Sequence, residues 1–389
     1  MLERKSYLAF IMLGMIAPIN GLALPHLIGA YELSLSLAGL LFFTGSLGYI
    51  TASSTYPFLQ RFFTMKALLA TGSVLTAGGL LLLPLMPNWG SALAASFAIG
   101  LGSSVIDVGF NALIAGLESE RAKPAMNWLH FAFSVGALSG PIVMSRFAAW
   151  TGQWMVMFWI GTGLFVLFTV IWLQTPTFAD EGESALNSGS EGKSVYGHWR
   201  FWLVFAAMFV YCGAEVALAG WITTYLASEM AIAVDTAALG LSLLWAGLTV
   251  GRALSSKISA RVDTRTMLIV LFAGSALTTA SVVAAPTLWS VFAAVFLTGL
   301  FFSAIFPTLM LHGVAMFPKS ASIISGGLVT SAGLGALVVP TLLGVVAERA
   351  SLAAGILIVA LMLLISVGIS AVLPKESSLS KQNPWSARS

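Results

Sequence analysis

Long apolar stretches separated by short polar breaks run along the chain from about residue 6 to residue 373. A membrane helix needs about 20 mostly apolar residues, because each residue rises about 1.5 Å through a hydrocarbon core about 30 Å thick. Windows of that size predict twelve helices, over 6–31, 36–60, 64–85, 90–117, 124–149, 152–174, 199–228, 237–257, 265–285, 287–313, 319–347 and 351–373. Breaks such as Met86-Pro87-Asn88-Trp89 and Pro286-Thr287 are so short that consecutive helices must run antiparallel. No segment alternates polar and apolar residues over strand length, which argues against a β-barrel. Arg4 and Lys5 precede the first stretch as they would in a signal peptide. Its apolar run is too long for a signal h-region, and Asn20 and His26 interrupt its far half, so it reads as a retained helix.

Composition agrees with this pattern. Of the 389 residues, 58% are hydrophobic and 8% charged, against about 25% charged in soluble domains. That excludes a soluble globular enzyme, a disordered chain and a nucleic-acid-binding domain. The lone cysteine, Cys212, excludes an intramolecular disulfide framework and any cysteine-cluster metal site. His26, His130, His198 and His312 show no metal-ligand spacing, and there is no G-x-S-x-G nucleophile motif. No metal, cofactor or enzymatic activity is expected. Charge position then sets orientation. With the N-terminus in the cytoplasm, all of the 18 Lys and Arg residues lie towards the inside except Arg146, Arg349 and the intramembrane Arg252. Both termini are therefore expected in the cytoplasm, in a multi-pass protein of the cell membrane that works as a monomer.

One polar break is long. Residues 175–198 contain Asp180, Glu181, Glu183, Ser188, Gly189, Ser190 and Glu191 and read as a cytoplasmic linker. The expected organisation is a six-helix bundle over 1–174, the linker over 175–198, a second six-helix bundle over 199–373 and a polar tail over 374–389. The halves also share residues at a constant offset. Gly100-Leu101 recurs as Gly299-Leu300, Ile106 as Ile305, and Gly136-Ala137-Leu138 with Pro141 as Gly335-Ala336-Leu337 with Pro340, all 199 residues apart. Two parallel six-helix repeats point to a transporter whose site lies between the halves near the membrane midplane.

Several motifs carry a family resemblance. Gly100-Leu101-Gly102-Ser103-Ser104-Val105-Ile106-Asp107-Val108-Gly109-Phe110-Asn111 is a Gly-rich run ending in acid-x-x-x-Asn. Met126-Asn127-Trp128-Leu129-His130 precedes Ser134-Val135-Gly136-Ala137, and Tyr211-Cys212-Gly213-Ala214-Glu215 leads to Trp221 and Tyr225. Phe302-Ser303-Ala304-Ile305-Phe306-Pro307-Thr308 is followed by Gly333, Gly335 and Pro340. Over residues 8–345 or so the chain resembles the major facilitator superfamily, and within it the fucose permease-like sugar–proton symporters. The resemblance implies an all-α membrane protein of twelve helices in two six-helix bundles. It further implies a proton-handling acid at Asp107 and a substrate-binding role for Glu215 on the seventh helix. Two positions depart from the pattern. Gly21, with Asn20 beside it, stands where the branch carries a first-helix carboxylate, and the loop signature between the second and third helices survives as Gln60-Arg61 and Lys66.

Charges inside membrane helices cost about 2.5–3.5 kcal/mol each on insertion scales, so each requires a reason. Asp107 lies about ten residues, on the order of 15 Å, from the inner end of its helix, with Asn111 one turn further in on the same face. It suits a proton carrier or a structural anchor. Glu215 reads as a binding or coupling group, or as a helix-to-helix tie. His130 can contact substrate or relay protons, and Asn20, His26, Asn111 and His312 are candidate substrate-binding residues of the cavity. Trp221 and Trp245 are candidates for stacking on the apolar face of a sugar ring. Arg252 reads as a gate-stabilising or snorkelling residue, and Arg61 as the remnant of the inner-gate loop. The leading expectation is a secondary transporter that moves a small polar, sugar-like solute by alternating access with protons as co-substrate. The alternative is a proton-driven exporter of a metabolite or drug-like compound, because Gly136-x-x-x-Gly140-Pro141 partly resembles an antiporter signature.

Overall fold

The structure, a computed structural model, describes residues 2–117, 119–175, 195–258, 262–317 and 320–375. The linker and tail expected at 175–198 and 374–389 lie almost wholly outside these residues. Among the described residues, 12 helices are long and apolar enough to cross a membrane, in the order the hydropathy pattern predicts. Helix α1 comprises Leu2–Ile16 and Ile19–Tyr31, α2 is Leu35–Leu59, and α3 is Met65–Leu82 with a 3-10 turn at Leu83–Leu85. Then follow α4 (Trp89–Ala115), α5 (Ser119–Thr151) and α6 (Val156–Leu173). The second half holds α7 (Trp199–Ser228), α8 (Val234–Ile258), α9 (Thr264–Ala284), α10 (Leu288–Phe302 and Ile305–Met316), α11 (Ala321–Arg349) and α12 (Leu352–Val372).

Short loops are possible because the helices begin with side-chain caps. Ser34, Thr64, Asn88, Asp263 and Thr287 each accept a backbone N–H at the start of α2, α3, α4, α9 and α10. Each such cap stabilises its helix by about 1 kcal/mol. The first helix starts at Leu2, earlier than hydropathy alone placed it, because its basic residues find partners. Lys5 Nζ donates to Thr175 Oγ1 at 2.6 Å and Lys66 Nζ donates to Thr175 O at 2.6 Å. Two ammonium groups thus sit at the C-terminal end of α6, where the helix dipole favours them.

Both broken helices contain proline at the break. Pro18 interrupts α1, and Pro307 lacks the N–H that would bond the carbonyl of Ser303 where α10 stops and restarts. Residues Met1–Gly182, Ala219–Trp245 and Pro340–Leu352 belong to one compact unit, and Glu183–Leu218, Ala246–Val339 and Ala353–Ser389 to a second. Helices α7, α8 and α11 therefore contribute to both.

The internal repeat governs packing inside each unit. In the first, a Cβ on Gly48 of α2 would lie 2.2 Å from Phe97 O and 3.0 Å from Leu101 N of α4. In the second, a Cβ on Gly247 of α8 would lie 2.0 Å from Phe296 O and 2.8 Å from Leu300 N of α10. All three residues of one contact recur in the other at the offset of 199. The α1–α5 contact (Gly14 with Phe133, Gly136 with Ile11) has its counterpart in the α7–α11 contact (Gly213 with Gly335, Gly335 with Phe209). A side chain at these glycines would enter the backbone of the neighbouring helix, which fixes how closely the helices approach.

At the end of the first unit where α1 finishes, parts of α7, α8 and α11 pack onto α1, α2 and α5. A Cβ on Gly21 would lie 2.2 Å from Ala219 O and 2.9 Å from the Cα of Gly220, which is Gly21's counterpart at the same offset. Thr341 Oγ1 donates to Gly39 O at 3.3 Å, and the Ser36 N–H donates to Glu348 Oε2 at 2.9 Å. This end is closed.

Candidate functional site

Two tyrosine–carboxyl pairs occupy the interior, one in each unit. In the first unit, the α2–α4 contact at Gly48 brings Tyr49 of α2 to Asp107 of α4. The Tyr49 hydroxyl donates a very short hydrogen bond to Asp107 Oδ2. Asn111 Nδ2 donates to Asp107 Oδ1 at 2.8 Å and to the Asp107 carbonyl at 2.9 Å. Both carboxyl oxygens are thus held by neutral donors. Gly45 and Gly100 permit this register, since a Cβ on Gly100 would lie 2.0 Å from Gly45 O and 3.0 Å from Tyr49 N. Tyr49 keeps 38% of its surface open, so the pair is reachable from outside the packed core. A carboxyl held only by neutral donors changes its local net charge on taking or losing a proton.

In the second unit, the Tyr211 hydroxyl donates a very short hydrogen bond to Glu215 Oε2 one turn further along α7. The Tyr211 ring meets Phe302 edge to face at 5.7 Å, just before the break in α10. The charge of Arg252 acts on both Tyr211 and Glu215. Gly251 brings that arginine's turn of α8 against α10, since a Cβ there would lie 2.3 Å from Ser303 Oγ and 2.5 Å from Leu300 O. Glu215 thus shares with Asp107 a tyrosine hydroxyl as its hydrogen-bond donor. The pairs are not repeats of each other, because the offset of 199 places Phe306 opposite Asp107 and Ile16 opposite Glu215.

The remaining sequence candidates separate clearly. Asn20 follows the break in α1, and its Oδ1 is enclosed with no hydrogen-bond partner, an acceptor that a solute or water can satisfy. His130 is exposed on α5, with its ring 6.1 Å from that of Phe10. His26 lies at the closed end, stacked on Trp154 at 5.8 Å and far along α1 from the Asn20 turn. Arg61 is exposed in the turn that ends α2, where its backbone N–H bonds Phe58 O.

Trp221 and His312 do not fit the cavity-lining role expected for them in this conformation. Trp221 is fully buried, donates through Nε1 to Pro340 O at 2.9 Å, and packs against Phe42 at 5.9 Å between ring centroids. It belongs to the part of α7 engaged in the closed end, so its indole fills a helix interface. His312 has 0% exposure, with Nδ1 at 2.8 Å from Thr264 Oγ1 beside the N-terminus of α9. Trp245 is nearly buried, with its ring edge to face on Phe133, a residue level with Gly14 of α1. Sequence reasoning missed Tyr49. It stands on a different helix from Asp107, so no i, i+4 spacing announces it as Tyr211-x-x-x-Glu215 announces the other pair.

A family model described as the Major Facilitator Superfamily matches residues 6–326. The chain is 25% identical over 383 residues to a protein named as the glucose/mannose transporter GlcP of Bacillus subtilis, covering 94% of this chain and 92% of that protein. It is 26% identical over 374 residues to a protein named as a glucose/galactose transporter of Brucella abortus, covering 88% of this chain and 86% of the relative. Among solved structures, the E. coli fucose:proton symporter FucP superimposes with a TM-score of 0.63 at 18% identity, covering 96% of this chain and 98% of that one.

Proposed function

We infer that this chain, which belongs to the Major Facilitator Superfamily, is a sugar–proton symporter of the cell membrane with both termini in the cytoplasm. That it is a multi-pass membrane transporter and not an enzyme follows from the family and from the 12 membrane-length helices among the described residues. The names of the two curated relatives support a solute of the hexose class. The observation that carries the proton reading is the Asp107 site, a carboxyl within the membrane helix α4, about two turns from its C-terminal end, whose two oxygens are held by Tyr49 and Asn111. In this account Asp107 takes and releases the proton. Glu215 accepts sugar hydroxyls, with Asn20 as a second polar contact. Alternating access proceeds by opening the closed end at Gly21 and Gly220. The exporter reading gains nothing from Gly136-x-x-x-Gly140, since packing on Ile11 and Met15 of α1 accounts for both glycines.

Uptake of radiolabelled D-glucose into proteoliposomes tests the substrate class. D-Mannose, D-galactose or L-fucose is expected to compete, and uridine and amino acids are not. Competition by uridine and by no sugar would overturn the reading. The role of Glu215 has its own test. Glu215→Gln keeps an accepting oxygen and the side-chain shape, whereas Glu215→Ala removes the contact. Losing a hydrogen bond to a charged group costs about 1.5–3 kcal/mol, so the Ala variant should bind sugar about 10–100-fold more weakly. The Gln variant should bind several-fold more tightly than Ala. Equal affinity of wild type and Ala in calorimetric titration would remove Glu215 from the sugar site.

A further inference from the structure

Above the closed end lies a cavity of about 470 Å³ to which the transport site described above contributes no residue. Its volume is within the range of about 300–1,000 Å³ typical of small-molecule sites. One wall is a polar strip of α7, formed by Thr224, Ser228 and Glu229. The rest of the lining is mostly apolar, with Pro25 and Ile28 from α1, Leu35 from α2 and Ala347 near the end of α11, and Ser351 as a further polar residue. Ser228 Oγ donates to Thr224 O at 2.7 Å, and Glu229 Oε1 accepts the Leu352 N–H at 2.5 Å, so the strip is held in place. Thr224 is 3% exposed, lines the cavity, and its Oγ1 has no hydrogen-bond partner. A buried hydroxyl in that state costs free energy that a ligand hydroxyl can recover. Trp221, one turn earlier on α7, forms the plug beneath, through its bond to Pro340 and its contact with Phe42.

We propose that this vestibule is a second binding site, a loading site for an uncharged polyhydroxylated solute of monosaccharide size on the face opposite the termini. A pyranose presents hydroxyls at its rim and C–H bonds on its faces, which matches one polar wall and apolar walls around it. The solute would bond Thr224 Oγ1 and the Ser228 and Glu229 side chains while its apolar face lies against Ile28 and Leu35. When the Trp221 plug withdraws, a solute already bound there is next to the pathway. This inference rests on the sugar-transport reading and adds a site to it.

The test measures occupancy directly. In a Cys212→Ser background, Ala350→Cys places a thiol in the cavity lining, and a membrane-impermeant maleimide reports its accessibility. D-Glucose is expected to slow the reaction at least fivefold. That protection should persist when the transport site is disabled by Glu215→Ala, and Thr224→Val should raise the half-protecting concentration at least fivefold. Absence of protection would overturn the vestibule site, as would protection abolished by Glu215→Ala, which would trace the effect to the transport site. D-Glucose uptake by the same preparation separates the two levels. Uptake without protection refutes the vestibule alone, whereas absence of any sugar uptake refutes the sugar reading and the loading site with it.

Discussion

Gly21→Ala is expected to lower the turnover of sugar uptake at least tenfold while leaving the protein folded. The added methyl would stand 2.2 Å from Ala219 O and 2.9 Å from the Cα of Gly220, both backbone atoms with no rotamer through which to withdraw. Over-packing of this kind costs about 1–3 kcal/mol even where side chains can adjust. Here the relief available is separation of α1 from α7, which is the opening of the closed end. The strain therefore falls on one conformation, and about 1–3 kcal/mol shifts the balance between conformations by about 5–150-fold. A cysteine at Phe42, which packs on the Trp221 plug, should then react with an impermeant maleimide at least tenfold faster than in the Gly21 protein. Gly29→Ala is the matched control, since nothing lies within 4 Å of its Cβ position and uptake should stay within twofold. Unchanged turnover in Gly21→Ala would mean that this crossing does not open during transport.

Asp107→Asn should abolish uphill accumulation of sugar yet retain counterflow, the exchange of labelled for unlabelled sugar without net proton movement. The amide keeps the shape and one accepting oxygen, so the Tyr49 bond can survive while the exchangeable proton is lost. Retained counterflow separates a coupling defect from a folding defect. Tyr49→Phe is the milder companion. It removes an O–H that bonds the carboxylate form more strongly than the acid, so the pH dependence of uptake should move towards higher pH with maximal turnover kept within about threefold. A phenol acting only in packing would leave the pH profile in place. Accumulation unaltered in Asp107→Asn would make Asp107 a packing residue and end the proton assignment.

The twelve-helix plan was readable in the chain because hydrophobic span length is set by bilayer thickness. The duplication showed through Gly100-Leu101 and Gly136-Ala137-Leu138, whose counterparts lie 199 residues on. Gly14 with Gly213, Gly21 with Gly220 and Gly48 with Gly247 obey the same offset. They remained invisible because a single glycine in a chain holding 38 of them carries no information until its contact is known. Among the site residues, Glu215 came with its tyrosine, since i and i+4 share a helix face. Asp107 came with Asn111 for the same reason, but Tyr49 depends on the register between two helices, which no local spacing encodes. The buried placement of Trp221 was hidden by its residue type. An indole suits a sugar face and a helix interface equally well, and its bond to Pro340 could not be read from a chain position 119 residues away. The placement of His312 was hidden similarly, because Thr264 at the start of α9, which it meets, is 48 residues distant.

Proton movement that drives sugar movement in this molecule has a direct signature in reconstituted vesicles. Purified protein is reconstituted into proteoliposomes with an alkaline interior, diluted into acidic, sodium-free medium, and followed for labelled D-glucose. The account predicts transient accumulation above the external concentration, collapsed by a protonophore. Equilibration without overshoot under the pH gradient, with an overshoot appearing only when a sodium gradient is imposed instead, would contradict it.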